Sequence, residues 1–240
     1  MRTIYWYLAM FFSTVFCYPK LKKAEKLQDS GRTEEFEAFV YDCTTKFMKA
    51  NFKRTGSKVE VVGTENIPKD RTVLIVSNHQ GNFDIPLLMS FIDIPKGFIA
   101  KIELANIPII SRWMELMHSV FMDRSSLKGA GAAIMQGIRE LKQGHNMVIF
   151  PEGTRSKSGK IGEFKHASFK LATKPGVTIL PVTLDGTYNI LEKNGFKIKP
   201  ANIRLTIHEP IETKGMSKEE QEALPDQVFE IIKSALSEIQ

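Results

Sequence analysis

The chain has 240 residues, 42% of them hydrophobic and 25% charged, enough for one substantial domain with a small appendage, which excludes a disordered tail and a disulfide-stapled mini-protein. Its formal charge of +6 comes from 33 Lys and Arg against 27 Asp and Glu, but residues 1 to 58 hold 11 basic and 6 acidic side chains, leaving 22 against 21 elsewhere. A basic amino-terminal segment beside an apolar run points to an anionic membrane surface, and the nearly neutral remainder argues against nucleic acid as a partner.

The first element is the uncharged, aromatic-rich run Thr3 to Pro19, about 25 Å long as a helix against a hydrocarbon core of about 30 Å. That is marginal as a span, and no small-x-small cleavage site follows it, so the segment is expected to be retained. Arg2 precedes it and Lys20, Lys22, Lys23 and Lys26 follow it. With both ends basic the positive-inside rule favours neither flank, which suits a helix that dips in and returns. From Thr33 to Arg54, Phe36, Phe39, Val40, Cys43, Phe47 and Met48 recur at spacings of three and four, predicting an amphipathic helix. Its stripe suits packing against the protein as well as lipid. Together the two segments predict a two-helix membrane-docking module over residues 1–58. Cys17 and Cys43 have no C-x-x-C or zinc-type spacing, so redox chemistry and a structural zinc are not expected and a reducing compartment is.

Residues 59–240 read as the body, in which the turn-rich link Gly63 to Asp70 precedes the strands. Short apolar runs at Val73 to Val76, Val120 to Met122, Met147 to Phe150 and Thr178 to Leu184 predict strands buried on both faces, and Ile203 to Ile207 adds another strand. Helical patterns lie between and after them, at Ile85 to Phe91, Leu104 to Met117, Leu127 to Leu141, Phe164 to Thr173 and Lys218 to Ile239. This alternation predicts an α/β fold with a largely parallel central sheet flanked by helices, preceded by the two-helix module. Polar clusters follow three of the runs: Ser77 to Asp84, Asp123-Arg124, and Pro151 to Ser156. If the strands are parallel, those clusters share one sheet edge, where α/β proteins bind ligands.

Two H-x-x-x-x-D patterns occur. In His118 to Asp123 the intervening residues read as strand, which sends side chains an odd number apart to opposite faces. In His79 to Asp84 the linking Gln80-Gly81-Asn82 is turn chemistry, and Asp84 opens the next helix, so the two side chains can meet. Asp84 serves equally as a helix cap. A histidine held by a carboxylate can take a proton from a substrate hydroxyl without itself being the nucleophile. There is no G-x-S-x-G to supply a serine nucleophile and no nucleotide-binding glycine loop. Arg155, Arg124 and Lys101 fall near strand ends and suit a phosphate monoester. Lys157, Lys160 and Lys165 read as an exposed basic loop. His145, His166 and His208 have no partner at useful spacing and read as structural.

Asn78-His79-Gln80-Gly81-Asn82-Phe83-Asp84, Val120-Phe121-Met122-Asp123-Arg124, Phe150-Pro151-Glu152-Gly153-Thr154-Arg155-Ser156 and Leu180-Pro181-Val182-Thr183 resemble, in order, the four sequence blocks of the glycerolipid acyltransferase family, most closely its 1-acyl-sn-glycerol-3-phosphate acyltransferases. Gly81 stands where a serine is common. The resemblance implies transfer of a fatty acyl group from an acyl-CoA or acyl-carrier-protein thioester to the 2-hydroxyl of lysophosphatidate, giving phosphatidate without a covalent acyl-enzyme. It makes His79 the base and Asp84 its orienter, assigns Arg124 and Arg155 to the acceptor phosphate with Lys101 as a third cation, and has Glu152 and Gly153 shape that pocket. No metal or organic cofactor is required, since the thioester is already activated. Backbone amides around His79 or Gly153 are the candidate oxyanion donors. The expected location is monotopic on a membrane, with the active site facing the cytoplasm. Glycerol 3-phosphate or another lysophospholipid is an alternative acceptor. A non-catalytic adaptor binding anionic lipid would use the same helices and cations but not the His79 and Asp84 pair.

Overall fold

The computed structural model describes residues 1–156 and 160–237. Helices α1 (Arg2–Phe16), α2 (Tyr18–Asp29) and α3 (Thr33–Lys53) lead into the body. There follow β1 (Lys58–Val62), β2 (Val73–Ser77), α4 (Asp84–Phe91), β3 (Gly97–Lys101), α5 (Ile110–Leu116), β4 (Val120–Met122), α6 (Leu127–Lys142), β5 (Met147–Ile149), α7 (Lys170–Thr173), β6 (Thr178–Asp185), β7 (Asn202–Ile207) and α8 (Lys218–Ser234). The strands form one seven-stranded sheet in the order β1-β7-β6-β2-β5-β3-β4. Its pairings are parallel except β6 with β7, so β1 and β7 run against the other five.

Period-two alternation places the layers. In β2, Val73 and Ile75 face a core with Phe83, Leu87 and Leu184, while Leu74 and Val76 face the opposite core with Ala133, Leu141 and Val228. Both faces are covered, which is why the strands read as unbroken apolar runs. α6 starts at Ser126, whose hydroxyl accepts from the Gly129 amide, and α8 starts at a capping box of Ser217 and Glu220. A third, smaller cluster joins Leu21, Ala24 and Leu27 of α2 to Phe36 and Val40 of α3 and Leu116 of α5.

Several expectations are corrected. Helix continues beyond Pro19 to Asp29, because a proline in the first turn of α2 loses no hydrogen bond and the buried stripe Leu21, Ala24 and Leu27 carries the helix on through its lysines. The stretch Leu104 to Met117 is split at Pro108 into a 3-10 turn, Ile102–Asn106, and the short α5. Phe164 to Thr173 likewise holds a 3-10 turn, His166–Phe169, before the single-turn α7. Strands β1 and β3 were not legible as apolar runs; β1 alternates exposed and half-buried residues as an edge strand does. The carboxyl-terminal helix ends at Ser234; Ile239 of the expected range, like Lys157 of the basic loop, lies outside the described residues.

Among the described residues no helix is long and apolar enough to cross a membrane. α1 buries no residue and exposes Ile4, Tyr5, Leu8, Phe11, Phe12, Val15 and Phe16. α3 instead buries Phe36, Val40, Cys43 and Phe52, with Phe52 in the main core, so its stripe packs against protein.

Candidate functional site

Because β2 through β6 are parallel, the residues that follow β2, β4 and β5 share one edge of the sheet, as expected if the strands were parallel. β5 is the direct neighbour of β2 although two strands, β3 and β4, lie between them in the chain, and this adjacency brings the loop after Ser77 against the loop after Ile149. Residues alternate as they leave β2. Asn78 clamps both backbone groups of Leu184, its amide donating to the carbonyl and its oxygen accepting from the N–H at 2.8 Å each. Gln80 Oε1 accepts from the amides of Gly186 and Thr187. With both neighbours tied to the end of β6, His79 points the other way.

His79 Nδ1 lies 2.7 Å from Asp84 Oδ2. The same oxygen accepts the amides of Gln80 at 2.7 Å and Gly81 at 2.9 Å, and Oδ1 accepts the Thr187 hydroxyl. Asp84 is 0% exposed, so its charge is held by these four donors rather than by water. An oxygen that already receives two N–H groups assigns the ring hydrogen to Nδ1 and leaves the lone pair on Nε2. The imidazole stacks on Phe150, centroids 4.0 Å apart at 15°, and keeps an 18% exposed side chain at the edge.

The second loop is fastened to the first. Glu152 Oε1 accepts the His79 amide at 2.6 Å and its Oε2 accepts the Gly162 amide at 2.7 Å, while the Ser156 amide donates to the His79 carbonyl at 2.7 Å. Burial raises the Glu152 carboxyl above its ordinary value, and the two amides oppose that shift. Gly153 has φ +71°, and a side chain there would collide with Lys165 Nζ, 2.7 Å from its Cβ position.

Of the expected cations, Arg155 donates to Asn82 Oδ1 at 2.7 Å and reaches Glu192 Oε1 at 3.2 Å, and Arg124 donates to the Gly153 carbonyl. Lys101 ends β3 at the same edge, paired with Glu103 at 2.6 Å. The His118 and Asp123 pair expected not to meet does take separate partners: His118 bonds Glu37 and Asp123 accepts from Ser125. His208, expected to lack a partner, meets the Thr183 hydroxyl at 2.8 Å.

Sequence reading missed two residues of the site. Thr187 holds the second oxygen of Asp84. Glu192 accepts the Asn82 amide at 2.7 Å besides Arg155, and its buried Oε2 has no hydrogen-bond partner among the described residues. That carboxylate sits 2.5 Å from where a Cβ on Gly81 would stand, which gives the missing serine at this position a steric reason. Thr187 and Glu192 follow β6, so the signal was the one used for β2, β4 and β5: polar residues just past a strand's carboxyl end. The four amides from His79 to Asn82 all donate to carboxylates of Glu152, Asp84 and Glu192.

An acyltransferase family model matches residues 58–185. The 1-acyl-sn-glycerol-3-phosphate acyltransferase of Borreliella burgdorferi is 34% identical over 177 residues, 74% of this chain and 71% of that protein. The chloroplastic enzyme LPAT1 of Arabidopsis thaliana, with the same activity in its name, is 38% identical over 156 residues, 64% of this chain and 44% of that longer protein. The crystal structure of the 1-acyl-sn-glycerophosphate acyltransferase PlsC from Thermotoga maritima superposes with a TM-score of 0.85 at 36% identity, covering 97% of this chain and 92% of that one.

Proposed function

Because the chain belongs to the acyltransferase family, we propose that it moves a fatty acyl group from an acyl-CoA or acyl-carrier-protein thioester to the 2-hydroxyl of 1-acyl-sn-glycerol 3-phosphate, releasing phosphatidate and the free thiol. The observation that carries the mechanism is the bond of His79 Nδ1 to a fully buried, four-donor Asp84. It supports Nε2 as the general base. In the proposed step Nε2 takes the proton of the 2-hydroxyl while the oxygen attacks the thioester carbonyl. Collapse of the tetrahedral intermediate breaks the C–S bond, and the imidazolium returns the proton to the departing sulfur. Phe150 under the ring holds it in that orientation.

Arg155 and Arg124, with Lys101 further along the edge, are proposed to bind the acceptor phosphate. Glu152 and Gly153 shape that pocket by locking its two loops together. The amides of His79 to Asn82 are committed to carboxylates, so the oxyanion is met from outside this turn. No cofactor enters the scheme. The exposed aromatic face of α1 suits insertion into a bilayer interface, with residues 1–58 as the docking module and the catalytic edge on the cytoplasmic side, where the thioesters are made.

The test is acyl transfer from a labelled thioester to lysophosphatidate in vesicles, with glycerol 3-phosphate and other lysophospholipids as competing acceptors. His79→Ala should lower turnover by about a hundredfold to ten-thousandfold and leave vesicle binding intact. A native chain that binds lysophosphatidate yet makes no phosphatidate with either donor class would remove the reading.

A further inference from the structure

The opposite edge of the sheet, at the amino ends of β3, β4 and β5, holds a second cluster that the proposed chemistry does not use. Glu37 of α3, His118 before β4 and His145 before β5 bring potential ligand atoms within 4.8 Å of one another. His118 Nε2 lies 2.8 Å from Glu37 Oε1, and its Nδ1 lies 3.4 Å from Glu140 Oε2 of α6. The His145 ring lies flat on that of His118, centroids 3.5 Å apart at 10°, and its nitrogens have no hydrogen bond to protein among the described residues. His118 itself occupies a left-handed backbone conformation, φ 58°, sparsely populated outside glycine. Gly97 makes room for it: a Cβ there would sit 2.6 Å from the carbonyl oxygens of Met117 and His118. Beside the cluster opens a cavity of about 300 Å³, lined also by Tyr41 and Lys96.

We propose that Glu37, His118 and His145 form a binding site for a divalent transition-metal ion of the zinc type. Two imidazoles and one carboxylate are a donor set that such ions favour over the all-oxygen sites of magnesium or calcium. Glu140 stands where an outer carboxylate belongs, on the imidazole nitrogen of His118 that faces away from Glu37, fixing Nε2 as the ligand. The cavity leaves space for a water as fourth ligand.

Binding needs one movement. Ring lone pairs lie in the ring planes, so two stacked imidazoles cannot aim at a single ion, and His145 must turn out of the stack. Ligand atoms around tetrahedral zinc stand about 3.3 Å apart, so atoms that now lie within 4.8 Å of one another must draw closer as His145 turns. The three ligands come from α3 and from two turns at the amino edge of the sheet. The ion would therefore tie the amino-terminal helices to the body without touching His79.

The experiment uses the tag-free full chain, titrated with Zn²⁺ by calorimetry and with Co²⁺ by visible absorption, against His145→Asn and Glu37→Gln. The expected result is one ion per chain, the intense visible bands of tetrahedral Co²⁺, and a loss of affinity of at least about tenfold in each variant with its metal-free melting temperature near the native one. Zn²⁺ should also raise the melting temperature of the native chain and not that of the variants. Absence of saturable binding, or binding of equal strength in both variants, overturns the site and leaves the cluster a hydrogen-bonded contact.

Discussion

Asparagine at position 84 would separate the charge of that residue from its geometry. Oδ2 of Asp84 receives the His79 ring N–H and the amides of Gln80 and Gly81, at 2.7, 2.7 and 2.9 Å. A carboxamide must place its oxygen there, since its NH₂ would otherwise face three donors. The NH₂ then falls to Thr187, whose hydroxyl can accept it and still donate to Gln80 Oε1 at 3.2 Å. The ring tautomer survives, and what is lost is the attraction between imidazolium and carboxylate, about 4 kcal/mol for charges about 4 Å apart at an effective dielectric of about 20. With the proton about half transferred in the transition state the loss is about 2 kcal/mol, and with complete transfer about 4, which brackets a fall in kcat of about thirtyfold to a thousandfold. The acceptor KM should hold. Steady-state acyl transfer to lysophosphatidate reads both constants, and thermal unfolding should place Asp84→Asn well above Asp84→Ala, which strands two buried amides at about 1–3 kcal/mol each. A loss of about ten-thousandfold would mean that the ring had flipped its tautomer, and activity within about threefold of native would mean that the charge does not serve the base; either outcome refutes the reasoning.

Glu192→Gln should lower the KM for a phosphate-bearing acceptor by about fivefold, since a partly exposed pair with Arg155 is worth about 1 kcal/mol and the substrate phosphate must compete with it; a raised KM would show that Glu192 instead builds the pocket. Lys96 is buried with its amine donating to the carbonyls of Ile92 and Ile94, and burial pushes its pKa from 10.5 down to about 7. The unfolded chain keeps that proton up to its ordinary value while the folded chain loses it near 7, so the native protein gains stability as pH rises through that window. Melting curves of native and Lys96→Met proteins should therefore converge or cross in favour of the native chain between about pH 7 and 9, and curves that stay parallel would count against the shift. Paired Phe11→Ser and Phe12→Ser substitutions on the exposed face of α1 should weaken vesicle sedimentation without lowering the melting temperature, whereas removing α3 as well would take Phe52 out of the main core; unchanged sedimentation would place the membrane contact elsewhere.

Local physics made much of this protein legible in its sequence. Strands buried on both faces must be apolar throughout, so β2, β5 and β6 showed as runs; β4, also expected to be buried on both faces, is instead the other edge strand, with Phe121 and Met122 half-buried. His79 and Asp84 could be paired because the turn that joins them and the helix start that holds Asp84 are both written within eight residues, Ser77 to Asp84. The edge strand β1 and the lysine-rich α2 escaped, since half-exposed elements carry a diluted pattern. Only the tertiary structure could decide that β5 inserts beside β2, setting Glu152 on the His79 amide, and that the chain after β6 returns to set Thr187 on Asp84 and Glu192 on Arg155. The same holds for Glu37, His118, Glu140 and His145, gathered from α3, α6 and the turns before β4 and β5. Periodicity and turn chemistry act between residues a few positions apart, whereas strand order is fixed by which layers bury each other, and that balance is struck over the whole chain at once.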